Sequence, residues 1–209
     1  MASVTACMRK QVRRVAVRGT LTLGESKTIS LSERDILSFT LSEGVQDGVL
    51  LGACPAATLQ LHLSDAGGAF LPLGTRRGTA DLAGARLALY LTVWDEETAA
   101  FLEAPLGVFF VTDAVGQKPG CALRLTAMDA LGLHFDGSFS DPLSYPATLG
   151  QIAAAIALQA GADAPAPFPG SDFSIPAAPR WQGASLRRAL GYVCAAAGCC
   201  AQMHRQGRL

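Results

Sequence analysis

The sequence is short of most of what would announce a chemistry. It has three histidines (His62, His134 and His204), two tryptophans and three tyrosines in 209 residues. G-x-S-x-G, G-x-x-x-x-G-K, G-x-G-x-x-G and H-E-x-x-H are all missing. The sequence therefore signals no nucleophile elbow, phosphate loop, dinucleotide fingerprint or zincin helix. No stretch approaches the ~18 apolar residues of a membrane span, and charges stand where a secretory signal needs an apolar run. The formal net charge is zero, so the overall balance gives no sign of nucleic-acid recognition. Few tryptophans and tyrosines also count against a glycan- or receptor-binding β module, because most of the aromatics are strand phenylalanines.

The residues that could carry chemistry are isolated. Six cysteines (Cys7, Cys54, Cys121, Cys194, Cys199 and Cys200) form no C-x-x-C pair. Adjacent Cys199 and Cys200 are poorly spaced for zinc, so reduced, mostly buried thiols are expected. Asp95, Glu96 and Glu97 form an acidic triplet that could hold a cation or share a proton, although a polar loop between strands is the commoner role. Cys194 or Cys199 with His204 would make a thiol hydrolase, but Cys194 lies on an apolar helix stripe, where a thiol packs. Asp129 and Asp136 flank "ALGLHF", where helix capping and turn roles suffice. Arg9, Lys10, Arg13, Arg14 and Arg18 precede every acidic residue. They sit among Val12, Val15 and Val17 rather than aromatics, which reads as a solvated strand face or a subunit contact. The expectation is no catalytic residue, no cofactor, no metal and no enzyme activity.

Two hydropathy periods divide the chain. "VRRVAVRGTLTL" alternates at Val15 and Val17 and again at Leu21 and Leu23, and "KTISL" follows a Gly24-Glu25-Ser26 turn. After the polar link Ser32 to Asp35, "ILSFTLSEG" alternates at Ile36/Leu37, Phe39 and Leu41, and "ATLQLHLSD" at Leu59, Leu61 and Leu63. "ARLALYLTVW", "APLGVFFVTDA", which is apolar on both faces from Val108 to Val111, and "CALRLTAMDAL", with Leu123 and Leu125 on one face, complete the series. "GQKPG" (Gly116 to Gly120) is a turn by composition. Seven or more strands in about 130 residues, joined by glycine-rich turns, predict an antiparallel barrel or sandwich with one wet face. From residue 138 the period changes. Thr148 and Gln151 make a capping box for a helix over 148–160, and Gly161 is its C′ residue. A second helix runs over 185–197 from a Ser185 cap. "TLGQIAAAIALQAG" and "SLRRALGYVCAAAG" align without a gap, which fits either two equivalent packing elements or simply the pattern that any capped amphipathic helix shows. The predicted class is α+β, mainly β: an antiparallel β-barrel-like region over 1–137, then a small α+β region over 138–209.

The order of these stretches resembles a known family. "GTLTLGESKTISLSERDILSFTLSEG", "LLGACPAATLQLHL", "LGVFFVTDA", "LRLTAMDALGLHF", "SYPATLGQIAAAIALQAG" and "ASLRRALGYVCAAAGCCAQMHRQGRL" together look like the N-terminal part of bacteriophage and prophage tail hub proteins, the family that includes tail-associated lysins. The likeness runs from about Gly19 to Leu209. It implies a virion structural protein assembled in the bacterial cytoplasm, a homotrimeric ring at the tail tip. The implied partners are its own copies, the distal tail protein, the tail tube and the tape measure. Catalysis in that family belongs to C-terminal extensions, and the alternative is the anchoring part of a tail-associated cell-wall hydrolase. Family members continue past the turn at Arg205-Gln206-Gly207 into further strands. The expectation is therefore that Leu209 is a break in a longer frame, with Cys199 to Met203 a strand whose edge is unpaired.

Overall fold

The computed structural model describes residues 4, 14–24, 27–44, 51–64, 82–96, 98–118 and 122–209. Cys7, Cys121, Arg9, Lys10, Arg13 and Glu97 lie outside the described residues, as do the ends of two anticipated turns, Glu25-Ser26 and Pro119-Gly120. The chain is α+β and mainly β. It divides into two compact units, Met1–Leu41 with Leu59–Ala127, and Ser42–Thr58 with Met128–Leu209. Each is therefore assembled from two stretches of chain, whereas the sequence suggests one cut near residue 137.

The first unit is an antiparallel sheet of β1 (Val15–Leu23), β2 (Lys27–Leu31), β3 (Ile36–Ser42), β4 (Thr58–Ser64), β5 (Arg86–Asp95), β6 (Ala100–Lys118) and β7 (Ala122–Met128). The spatial order is β2-β1-β5-β6-β7-β4-β3. β1 and β2 form a hairpin from Gly19↔Leu31 to Leu23↔Lys27. Period-two burial is what makes these segments strands. Leu59, Leu61 and Leu63 of β4 are fully buried, and Leu21, Leu87, Phe109, Val111, Leu123 and Leu125 join them in the core. Gly116 to Lys118 of "GQKPG", a turn by composition, belong to β6 instead.

The connection between β2 and β3 shows that the sheet is curled. These strands are the two ends of the sheet order, yet only Ser32 to Asp35 separate them. A link of that length spans at most about 18 Å, whereas six flat strand spacings would need about 29 Å. The sheet must bend its edges toward each other, which accounts for the barrel-like patterning. Asp35 fixes the link by accepting from the Ser32 amide (2.8 Å) and hydroxyl (2.6 Å).

Two expectations about strand faces need correction. Val15 stays 39% exposed at the start of β1, while burial on its face sets in toward Gly19 and Leu21. In β3 the alternation does not sort burial: Leu37 is 58% and Phe39 36% exposed, and Ser38, Thr40 and Ser42 on the other face are exposed as well. The reason is position, since β3 ends the sheet and has β4 as its only paired neighbour among the described strands.

The second unit contains α1 (Ala130–Leu133), β8 (Ala147–Thr148), α2 (Leu149–Gln159), β9 (Ser174–Ile175) and α3 (Leu186–Ala197). The two longer helices begin and end alike. Thr148 Oγ1 accepts from Gln151 N and the Gln151 side chain accepts from Thr148 N, completing the capping box. Ser185 Oγ accepts from Arg188 N in the same position. The next two amides of each helix donate to a crossing segment: Leu149 and Gly150 to Phe173 O and Ser171 O, Leu186 and Arg187 to Gly137 O and Phe135 O. At the other end Gly161 and Gly198, both at φ 70°, let Ala162 N reach Ala157 O and Cys199 N reach Cys194 O. The fourteen-residue alignment is thus a repeated structural element, with every orphan amide of the first turn satisfied in the same way. Leu149, Ile152, Ile156, Leu186, Leu190 and Val193 pack with Phe135 and Phe139 between the helices.

Candidate functional site

Residues 51–57 belong to this second unit through their backbone. Gly52 N donates to Cys199 O, Ala201 N to Ala53 O, and Asp129 N to Ala57 O. Arg187 Nε donates to Cys54 O at 2.8 Å. The stretch Cys199 to Met203, expected as a strand, is not among the named strands and is bonded to Gly52 and Ala53 along one side. The turn that follows is as anticipated: Gly207 N donates to His204 O and His204 N to Arg208 O.

Two of the acids named from the sequence, Asp129 and Asp95, hold local turns. Asp129 is 2% exposed and caps α1, its Oδ1 accepting from Gly132 N and its Oδ2 from Ala57 N at 2.9 Å. Burial pushes its carboxyl above the usual range, against the pull of those amides and of the Arg187 charge. Asp95 is buried and accepts from Thr98 Oγ1 at 2.7 Å, while Glu96 is exposed. Asp136 and His134 are exposed, His62 is half-buried on the outward face of β4, and the Gln206 amide donates to His204 Nδ1.

The thiols come together in a way their spacing did not indicate. The side-chain interaction between Cys54 and Cys194 lowers the Cys54 thiol against the opposing effect of burial and raises that of Cys194, where burial adds to the rise. Cys194, Cys199 and Cys200 line a cavity of about 250 Å³ with Phe168, Val193 and Leu209. His204 is not in its lining. The lowered thiol is thus Cys54, held lowered by another thiol, whereas Cys194, which the sequence pairs with His204, is raised. Among the described residues no group of three His, Cys, Asp or Glu side chains could hold a metal ion.

A polar junction that sequence patterning missed lies at Asp141. Its Oδ2 accepts from the Tyr145 hydroxyl (2.7 Å) and from Trp181 Nε1 (2.8 Å), and its Oδ1 from Leu143 N (3.1 Å). Burial would raise this carboxyl, but the three hydrogen bonds outweigh it and the net direction is down. A depressed carboxyl contributes stability that is present above its unfolded value near ~3.9 and lost as pH falls through the lower folded value. Replacing Asp141 with alanine is expected to cost about 1–3 kcal/mol near neutral pH and to flatten the acid limb below pH ~4. Urea unfolding across that window checks both.

The surface best suited to a non-catalytic role is the β3 edge of the first unit. An end strand presents unpaired amides and carbonyls to a further strand. Here it also carries Leu37 and Phe39, spaced by two, on an exposed face.

No family model matches the chain, and no curated protein does. Among solved structures the chain is similar to the 43 kDa tail protein of prophage MuSo2 from Shewanella oneidensis, with 15% identity and a TM-score of 0.49. The match covers 92% of this chain and 53% of that one, so this chain spans about half its length.

Proposed function

We propose that this chain is a structural protein of a bacteriophage or prophage tail, working as part of a homotrimeric hub that adapts the tail tube to the tip. The observation that carries the reading is β3 at the end of the sheet order among the described strands, with Leu37 and Phe39 exposed, in a chain whose ordered motifs resemble the hub family. A curled antiparallel sheet followed by a two-helix unit is the order of elements those motifs imply. In this reading the sheet edges pair around the ring by strand addition, where backbone bonds supply affinity and alternate side chains supply register. The further partners are the distal tail protein, the tail tube and the tape measure, met during assembly in the bacterial cytoplasm.

Size exclusion with light scattering on the purified chain tests this. A trimer is expected, and Phe39→Lys, which puts a charge on the outward edge, is expected to shift it to monomer without lowering Tm. A monomer at every concentration, or a trimer indifferent to charges at both Leu37 and Phe39, would sink the proposal.

A further inference from the structure

The second unit has an open cleft of about 1030 Å³ that nothing above uses. Its walls are Ser42, Gly44, residues 51–56, Thr58 and the first turns of α3, and among the described residues its charged lining is Arg187 and Arg188. Leu51, Pro55, Ala56 and Ala195 supply apolar wall, and Tyr192, 47% exposed, stands at its side. Arg187 is anchored through Nε to Cys54 O, and its charge reaches the buried Asp129. That carboxylate, however, is already engaged by two amides and does not line the cleft. Arg188 lies over the Tyr192 ring, 5.6 Å from its centre, and donates to the Tyr192 hydroxyl at 2.7 Å. Among the described residues neither guanidinium forms an ion pair.

The placement of these arginines is costly in isolation. They occupy the first turn of α3, which has no acidic residue, at the end of a helix that favours anions and disfavours cations. The α3 amides cannot answer a ligand themselves, because Gly137 O, Phe135 O and Ser185 Oγ hold them. A bound carboxylate would offset the like-signed charge through the guanidinium forks, with Arg188 already oriented by the tyrosine ring.

We infer that this cleft binds a protein segment in extended conformation that carries carboxylates, with Arg187 and Arg188 taking the acidic side chains and the Leu51, Pro55 and Ala195 wall taking alternate apolar ones. A nucleic acid is the poorer occupant. Polyanion binding rests on neutralising many phosphates along an extended basic surface, and this concave site offers two cations in a chain of zero net charge.

Fluorescence anisotropy with a short labelled peptide alternating glutamate and leucine tests the inference. Saturable binding that weakens with added salt is expected, with roughly tenfold weaker binding both for the matching glutamine–leucine peptide and for Arg188→Glu. Arg188 is exposed, so the variant should keep the parent Tm. Arg188→Lys should retain part of the affinity. Equal binding of the glutamine peptide, no effect of Arg188→Glu in a folded protein, no saturation, or tighter binding of a single-stranded oligonucleotide than of the acidic peptide would each overturn it. These readouts are independent of trimer formation, so the cleft can fail while the tail-hub reading stands, and the reverse.

Discussion

Replacing Gly191 with alanine is expected to destabilise the protein by about 2–4 kcal/mol, although in an exposed helix interior the same change gains about 1 kcal/mol. The sign reverses because of what lies opposite. A Cβ on Gly191 would stand 2.8 Å from Gly52 O, and one on Gly52 would stand 2.8 Å from Gly191 O and 3.0 Å from the Ala195 Cβ. The loop and α3 therefore meet backbone to backbone, and neither listener to such a clash is a flexible side chain that can swing away. Gly52→Ala is expected to do more damage still, since Gly52 also sits at φ 76°, where an L side chain is strained. Urea midpoints for both variants, with Ala196→Gly as a propensity control in the same helix, decide the matter. A Gly191→Ala protein as stable as the parent would show that the approach is looser than described.

Asp129→Ala is expected to cost about 2–4 kcal/mol, because it strands two amides at once, Ala57 N and Gly132 N, at a site nearly closed to water. Asp129→Asn should cost about half as much, since one oxygen can still accept while the other position becomes a donor facing a donor. The pH dependence separates Asp129 from Asp141. A carboxyl raised by burial contributes stability that is complete below its unfolded value near ~3.9 and lost as pH rises through the higher folded value. The parent should therefore lose this increment on the alkaline side of pH ~4, and Asp129→Asn should not. The same increment in Asp129→Asn would mean that another group titrates there.

What could be read from the sequence was what is local. The capping box at Thr148 and Gln151, the Ser185 cap and the terminal glycines sit within a few residues of the groups they satisfy. The strands over Thr58–Ser64 and Ala122–Met128 announce themselves because alternate side chains share one core. The seven-residue stretch "LGACPAA" had no such signal. Its partners are Cys199, Ala201, Asp129 and Arg187, far along the chain, and small residues give no period to follow. The thiol contact between Cys54 and Cys194 was hidden for the same reason. β3 misled differently: alternation reports that a strand has two unlike faces, but at the end of the sheet order both of them meet water. The Asp141 junction joins groups on two sides of α2, a pairing set by the return of the chain to Trp181 rather than by any spacing.

The pairing of residues 51–57 also sets an order in time. Gly52 and Ala53 leave the ribosome early, but Cys199 and Ala201, their backbone partners, follow about 150 residues later. At about 5–20 residues per second that interval is on the order of ten seconds. For its duration the loop that the α+β unit requires is held without its helix, while the sheet strands on either side of it are free to pair. The sheet unit can thus mature during synthesis, whereas the unit bearing the arginine cleft can be completed only when Cys199 and Ala201 have been made.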